Sequence, residues 1–322
     1  MVGTVNHNTS TKVITNAQFS GQKILVTGAA GFIGSHLCRR LSMCGAEVHG
    51  ASRKILPKEE GFLRWWQGDL ADILTVRNLL TSIKPDTIFH LASHVVGSRS
   101  LELVLPTFSS NLMSVVNLLT AATEIGCERI VLTGSLEEPD LCNSETVPSS
   151  PYAAAKWASS AYARMFHALY KTPVSIARLF MVYGPGQQDL QKLVPYVILS
   201  LLRREVPKLS SGKREVDWIY VEDVVDGLIA IAQTANRKGC TIDLGSGSLV
   251  PVRTVVQIIT GMIDSEIVPS FGTIPDRPME QVRVADTERT YSAIGWKPTT
   301  SLEKGLKSTV DWYRDQLRKQ KE

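Results

Sequence analysis

Lys23-Ile24-Leu25-Val26-Thr27-Gly28-Ala29-Ala30-Gly31-Phe32-Ile33-Gly34 decides the fold of this 322-residue chain. Its first five residues form a short, largely apolar run that reads as a buried parallel strand and ends directly on glycines. The glycines follow G-x-x-G-x-x-G spacing (Gly28, Gly31, Gly34). Glycine is required where backbone N–H groups approach a pyrophosphate closely and where a helix must pack on a strand, and the helix N-terminus then favours the negative charge. A helical pattern follows from about Gly34 to Gly45, and Glu47-Val48-His49-Gly50-Ala51 is the next strand.

The alternation continues outward from that unit. Thr87 to Ala92 and Arg129 to Thr133 predict strands, separated by a helical stretch around Asn111 to Ile125. A long helix is expected from Pro151 to about Tyr170, with Ser150 as N-cap and Pro151 in the first turn. Val174 to Phe180 is the strand after it. Such alternation specifies an α/β fold, a Rossmann-type doubly wound parallel sheet. Past Tyr183-Gly184-Pro185-Gly186 the rhythm changes, with more prolines and charges. The expected organisation is a flexible tail over residues 1–20 and a dinucleotide domain over 21–182 plus 216–245. A smaller mixed α/β substrate lobe takes 183–215 plus 246–322. In this reading Val216 to Gly245 returns to the main sheet, ending in the strand Cys240 to Leu244.

Hydrophobic residues make up 43% of the chain and mean hydropathy is +0.01, as in ordinary soluble globular proteins. Net charge is only +4, from 35 basic and 31 acidic residues, with no basic block, so a small anionic ligand is expected and not a nucleic acid. The five cysteines (Cys38, Cys44, Cys127, Cys142, Cys240) are scattered and lack C-x-x-C spacing, which favours free thiols and a reducing, cytoplasmic setting. The N-terminal stretch has no apolar core of a secretory signal. The longest apolar run, Leu193 to Leu202, is too short to span a bilayer, so no membrane partner is expected. The six histidines show no metal-ligand spacing, and the chemistry developed below needs no metal.

The end of the second strand addresses which dinucleotide binds. A carboxylate there would accept hydrogen bonds from the adenosine ribose 2′-hydroxyl and repel a 2′-phosphate. This chain has Ser52-Arg53-Lys54 instead, and a guanidinium pairs with phosphate and stacks on adenine, so NADP(H) is expected with Arg53 as its main contact. Asp69, after the third strand, is placed to accept from the adenine amine. Phe32 and Ile33 in the glycine loop, together with Leu70, Leu91, Ala92, Ser93 and Thr133, complete the expected cofactor wall.

Tyr152 and Lys156 lie four positions apart, on one face of the long helix and one turn from each other, 17 residues (152−135) beyond Ser135. A phenol is normally protonated at neutral pH. An ammonium one turn away, with a cationic oxidised nicotinamide, would stabilise the phenolate and bring its pKa toward working pH. Tyr152 can then give a proton to a carbonyl or take one from an alcohol, Ser135 can orient the same oxygen, and Lys156 can also hold the nicotinamide ribose. Trp65-Trp66 reads as packing, and Asp217, Glu222 and Asp223 as tethers of the return segment.

These stretches resemble the extended short-chain dehydrogenase/reductase family, the NAD-dependent epimerases and dehydratases, in its nucleotide-sugar branch. The resemblance runs from about Gln22 onward. It rests on the glycine loop, Gly68-Asp69-Leu70, His90-Leu91-Ala92, Tyr152-x-x-x-Lys156, Tyr183-Gly184-Pro185-Gly186, Trp218 to Val224, Arg277-Pro278-Met279-Glu280 and Gly295-Trp296-Lys297-Pro298. It implies a Rossmann domain with a C-terminal nucleotide-sugar lobe, and homodimers through a helix bundle. Two positions depart from it. Met181 stands where the branch commonly has a substrate-contacting asparagine, and Val216 where an arginine grips the diphosphate, leaving Lys213 or Arg214 as replacements. Arg277 matches the second phosphate-contacting arginine.

The family's 4,6-dehydratases carry Asp-Glu after the hydroxyl residue, whereas this chain has Ser135-Leu136-Glu137-Glu138, keeping only the glutamate, Glu137. Gly-Ser-x-Glu-Glu is similar to reductases of 4-keto-6-deoxy nucleotide sugars. The leading expectation is NADPH-driven reduction of a C4 ketone, with Tyr152 as proton donor and Glu137 at the site. A 4-epimerase or 4,6-dehydratase, a non-sugar ketone reductase and a non-catalytic binding protein stay open. Met181 and Val216 favour the non-sugar substrate, and the two glutamates have an alternative reading as a solvated loop pair.

Overall fold

The computed structural model describes residues 18–54, 59–139, 146–234, 238–263 and 266–319. Most of the expected tail therefore lies outside the described residues, as does Cys142. Its last part is anchored: Phe19 is buried in the core, and its N–H donates to the Cys44 carbonyl.

The strands are β1 (Lys23–Thr27), β2 (Glu47–Ser52), β3 (Glu59–Glu60), β4 (Leu63–Gln67), β5 (Thr87–His90), β6 (Arg129–Ser135), β7 (Val174–Leu179), β8 (Met181–Tyr183), β9 (Lys208–Leu209), β10 (Glu215–Tyr220), β11 (Thr241–Leu244), β12 (Leu249–Pro251) and β13 (Ser270–Phe271). The α-helices are α1 (Phe32–Met43), α2 (Ile73–Ile83), α3 (Val104–Thr107), α4 (Ser114–Ile125), α5 (Pro151–Tyr170), α6 (Leu193–Leu202), α7 (Val221–Gln233), α8 (Val252–Ile263), α9 (Thr287–Ile294) and α10 (Leu302–Lys319).

Eight strands form the main sheet in the order β11-β7-β6-β5-β1-β2-β4-β3, parallel except for the β3–β4 edge pair. From β1 the chain winds out through β2 and β4, then crosses back to β5 on the other side. The reversal between β1 and β5 opens a crevice at their carboxyl ends, the place where open α/β sheets bind ligands. Alternation along β1 assigns the two faces. Ile24 and Val26 pack with Leu37, Leu41 and Leu228 on one side, while Leu25 packs with Val76, Leu80 and Leu118 on the other.

The second lobe has its own core of Val194, Val197, Trp218, Val255, Ile259 and Leu306. Here the structure corrects the sequence reading. β10 does not return to the main sheet; it pairs in parallel with β8 and antiparallel with β12. Only β11 rejoins the large sheet, beside β7. Apolar strands look alike in sequence whichever sheet they join, and partner choice is set by long-range pairing. Asp217, buried on β10, accepts the N–H groups of Ser246, Gly247 and Ala285 and so ties the two lobes, while Asp223 accepts from Thr299 and Thr300.

The helical stretch around Asn111 is longer and less regular than its sequence suggests. It runs from Leu101 to Ile125 with a π-helical segment at Phe108–Met113. By length and composition this stretch, and not Leu193–Leu202, is the one apolar enough to cross a bilayer among the described residues. It packs against α2 and α5 and buries Val115, Leu118, Leu119, Ala121 and Ala122, while Leu101, Val104, Leu105 and Phe108 are exposed.

Candidate functional site

A cavity of about 480 Å³ opens at the β1/β5 crevice and continues between the lobes. One end is lined by Gly28, Gly31, Phe32, Ile33, Gly34 and Leu91; Ser93, Thr133, Ser135, Glu137, Tyr152 and Lys156 face its middle.

The glycine end is built for close backbone approach. Gly28 has φ +70°, and a Cβ there would stand 2.7 Å from the Ala92 nitrogen. A Cβ on Gly34 would sit 2.1 Å from the Gly28 carbonyl oxygen. Glycine is thus the residue that lets β1, the loop and α1 close on the β5 end. α1 starts after Gly31 with no side-chain cap, so the N–H groups of its first turn line the cavity and suit an anion. Thr27 holds the neighbouring strand end, with its Oγ1 accepting from the Ala92 N–H and bonding His90 Nδ1 at 2.8 Å. Burial, with the charge of Lys156 adding to it, lowers the His90 pKa to about 3, so the ring is neutral at working pH. These features fit a dinucleotide pyrophosphate.

Ser52, Arg53 and Lys54 do not line the cavity. They sit at the exposed end of β2, where Ala51 pairs with Thr27, one residue from the glycine loop. The Lys54 N–H donates to Ser52 Oγ. Asp69 accepts the Ala71 N–H and shapes the turn before α2, and Leu70 is buried beneath it.

Of the pair expected to handle protons, Lys156 is buried and Tyr152 is partly buried, facing the cavity. Ser150 caps α5 by accepting the Ala153 N–H at 3.1 Å, as its sequence predicts. This sets Tyr152 and Lys156 on the face toward β6. Lys156 Nζ donates to the Thr133 carbonyl at 2.9 Å and contacts Thr133 Oγ1 at 3.3 Å; it lies 5.9 Å from the centre of the Tyr152 ring. Burial lowers the Lys156 pKa to about 8, while Glu138 opposes that shift. Burial pushes the Tyr152 phenol well above its ordinary value, the Ser135 hydrogen bond opposes the rise, Glu137 and Glu138 add to it, and Ser93 opposes it again. The expected lowering of the phenol by Lys156 is therefore not the dominant effect. The ammonium is directed at Thr133, and the protein's own groups keep Tyr152 protonated.

The loop after β6 separates the two glutamates. Glu137 is half-buried and lines the cavity, and its N–H donates to Ser135 Oγ. Glu138 is 3% exposed, which removes the reading of both as a solvated pair.

The substrate end differs most from expectation. Met181 lines the cavity as predicted, but Val216 is buried in the core of the second lobe and does not line it. Arg214 is held by Glu280 at 3.0 Å and donates to the Gln281 carbonyl; Lys213 is exposed, and neither lines the cavity. They are not brought to it because β10 turns its end toward β12. Arg277 is exposed, with its guanidinium against Gly97. Sequence reasoning missed Gln187, Gln188, Asp189 and Lys192, which enter the wall just before α6, and the apolar Val95 and Val194; Leu136 and Trp218, both singled out in the sequence, line it too. The only sequence signal for the polar group was its position directly after Tyr183-Gly184-Pro185-Gly186. Asn111 was missed as well: in the π-helical segment, its side chain accepts the His94 N–H and donates to the His94 carbonyl, fixing the Ser93 loop.

Comparison with known proteins agrees with this geometry. The family model described as NAD dependent epimerase/dehydratase family matches residues 24–245. The chain is 29% identical over 338 residues to dTDP-glucose 4,6-dehydratase 1 of Escherichia coli, covering 90% of this chain and 92% of that protein. It is 30% identical over 314 residues to UDP-glucose 4-epimerase of Mycolicibacterium smegmatis, covering 91% and 99%. Among solved structures, MoeE5 in complex with UDP-glucose and NAD superposes with a TM-score of 0.79 at 32% identity, covering 92% of this chain and 99% of that one.

Proposed function

The chain belongs to the NAD-dependent epimerase/dehydratase family, and from that premise we propose that it is an NADPH-dependent reductase of a nucleotide-linked sugar ketone, with a 4-keto-6-deoxy sugar as substrate. The observation that carries the reading is the Tyr152 phenol, held protonated by burial beside Ser135 in the cavity that begins at the glycine loop. A phenol kept in that form is a proton donor. Leu136 adds support, because it occupies the place of the acid that a 4,6-dehydratase would use.

A bound dinucleotide would lie with its pyrophosphate on Gly28, Gly31 and the first turn of α1, and it supplies the hydride. The Ser135 hydroxyl orients the ketone oxygen. Tyr152 delivers its proton to that oxygen, and the Lys156 ammonium stabilises the phenolate charge that develops. Arg53 and Lys54 at the end of β2, with no carboxylate among them, support NADPH as the preferred form, although the superposed relative binds NAD. The relatives act on dTDP- and UDP-linked sugars, which supports a nucleotide-sugar substrate here. Lys192 in the cavity wall, and Arg277 outside it, are the cations proposed to meet its diphosphate.

The test is stoichiometry. Incubation with NADPH and a 4-keto-6-deoxy nucleotide sugar is expected to consume one equivalent of NADPH per sugar reduced. Turnover of a nucleotide hexose with no net change in the cofactor would replace this reading with a 4-epimerase or 4,6-dehydratase, which Glu137 in the cavity wall and the named relatives favour. The apolar wall of Val95, Leu136, Met181, Val194 and Trp218 favours a non-sugar ketone as a further reading, tested by the same NADPH assay.

We further propose a homodimer through the exposed Leu101, Val104, Leu105 and Phe108 face of the long helical run, which borders a groove against α5. Sedimentation of wild type against Phe108→Glu checks it. A cytoplasmic setting is proposed from the scattered cysteines; among the described residues Cys38, Cys44, Cys127 and Cys240 are free thiols.

A further inference from the structure

Glu138 is a carboxylate with 3% exposure, placed in a loop that sequence alone would leave in solvent. Its Oε1 accepts the Ser135 N–H at 2.8 Å, and the Glu138 N–H returns a bond to the Ser135 carbonyl at 3.1 Å. The space it fills exists because residue 134 is glycine: a Cβ there would stand 2.5 Å from Glu138 Oε1. From the other lobe, Arg283 Nη1 donates to the Glu138 carbonyl and pins the residue's backbone. Thr133, Gly134 and Ser135 are consecutive, so the carboxylate on the Ser135 N–H and the Lys156 ammonium on the Thr133 carbonyl grip the same short strand end.

We propose that Glu138 is a positioning residue that fixes Ser135 through its backbone N–H and, by its negative charge, keeps the Tyr152–Lys156 pair loaded with both protons. This rests on the reading of Tyr152 as a proton donor. A buried anion disfavours the phenolate and favours the ammonium at once. Both effects hold the pair in the state that a carbonyl reduction consumes. Consistent with this, Glu138 raises the proton affinity of Lys156 and of Tyr152.

Among the described residues, other ionisable or charged groups lie around the pair, with Tyr183, Asp189 and Lys192 in the same cavity wall. His90 on β5 is neutral, and Glu137 follows Ser135 in the same loop. Arg178 on β7 pairs in register with Gly134 and is bound to Asp243 on β11. Arg283 approaches from the second lobe.

The test reads Lys156 directly. In protein labelled with 13C-lysine, the Lys156 resonance is assigned by its loss in Lys156→Arg and titrated in wild type, Glu138→Gln and Glu138→Asp. Glutamine keeps an acceptor for the Ser135 N–H but removes the charge; aspartate keeps the charge on a shorter stem. In Glu138→Gln the midpoint is expected to fall by about one pH unit, a tenfold loss of proton affinity, as removal of a nearby opposite charge requires. Glu138→Asp is expected to titrate with wild type while KM rises through a looser Ser135. If Glu138→Gln does not fold, Glu138→Ser, which admits water to the space, serves in its place. An unmoved midpoint in the neutral variant, or an aspartate variant that titrates with it, overturns the proposal. The titration needs neither substrate nor turnover, so it can fail independently of the NADPH stoichiometry that tests the reductase reading.

Discussion

The two ends of the cavity are made of different material. At the glycine end, the wall is backbone: glycines at contact distance, the uncapped first turn of α1, and strand ends in register. At the other end, the wall is made of side chains from segments far apart in sequence, such as Val95, Met181, Lys192 and Trp218. Backbone sites tolerate almost no added atoms, because a close-packed main chain cannot relax locally. Side-chain sites can be re-lined while the fold persists, which is how one scaffold serves several reactions.

The comparison can be broken first at the junction of the two ends. Tyr152→Phe is expected to lower turnover by about 10²–10⁴-fold, the worth of one general acid, while NADPH affinity stays close to wild type. Unchanged activity in a stopped-flow assay would remove the catalytic assignment. Next is the backbone end. Gly34→Ala forces a Cβ against the Gly28 carbonyl and should weaken dinucleotide binding by roughly 10–100-fold, the equivalent of about 1–3 kcal/mol of overpacking. Calorimetric titration with NADPH checks it.

Arg53→Ala should then cut the preference for NADPH over NADH by about tenfold, since a charge-assisted bond to phosphate contributes about 1.5–3 kcal/mol. Equal or tighter NADH binding by the wild type would sink the cofactor preference outright.

The pH dependence is expected to divide activity from stability. Lys156 is charged below about 8, so turnover should decline as pH rises through that value, approaching tenfold per unit. Its pKa in the fold lies below the ordinary 10.5, so between those values the unfolded chain binds the extra proton. Stability contributed by this group therefore rises with pH from about 8 to 10.5. Chemical denaturation of wild type beside Lys156→Met would show the slope only in wild type. The smallest effect belongs to the side-chain end: Met181→Asn should change KM for a nucleotide sugar only a few-fold, since one new hydrogen bond is worth about 1 kcal/mol.

What could be read in advance follows the same division. The glycine spacing, the Ser150-Pro151 helix start and the Tyr152–Lys156 interval are local patterns, and each appears in the structure where its residues predict it. The partner of β10 is not a local property, so Val216 was placed on the wrong sheet and Arg214 at a site it does not reach.

The sequence by itself determined the doubly wound sheet, the glycine loop and the spacing of Ser135, Tyr152 and Lys156. Hydrophobic period, glycine placement and i,i+4 spacing act over a few residues and need no knowledge of the rest of the chain. Only the tertiary structure decided that Glu138 is buried against Ser135, that burial raises the Tyr152 pKa, and that Val95, Met181, Val194 and Trp218 meet in one cavity wall. Burial and charge proximity depend on segments that meet only after folding. Glu137 and Glu138 make the point: adjacent and identical in type, one lines the cavity and the other lies beneath it.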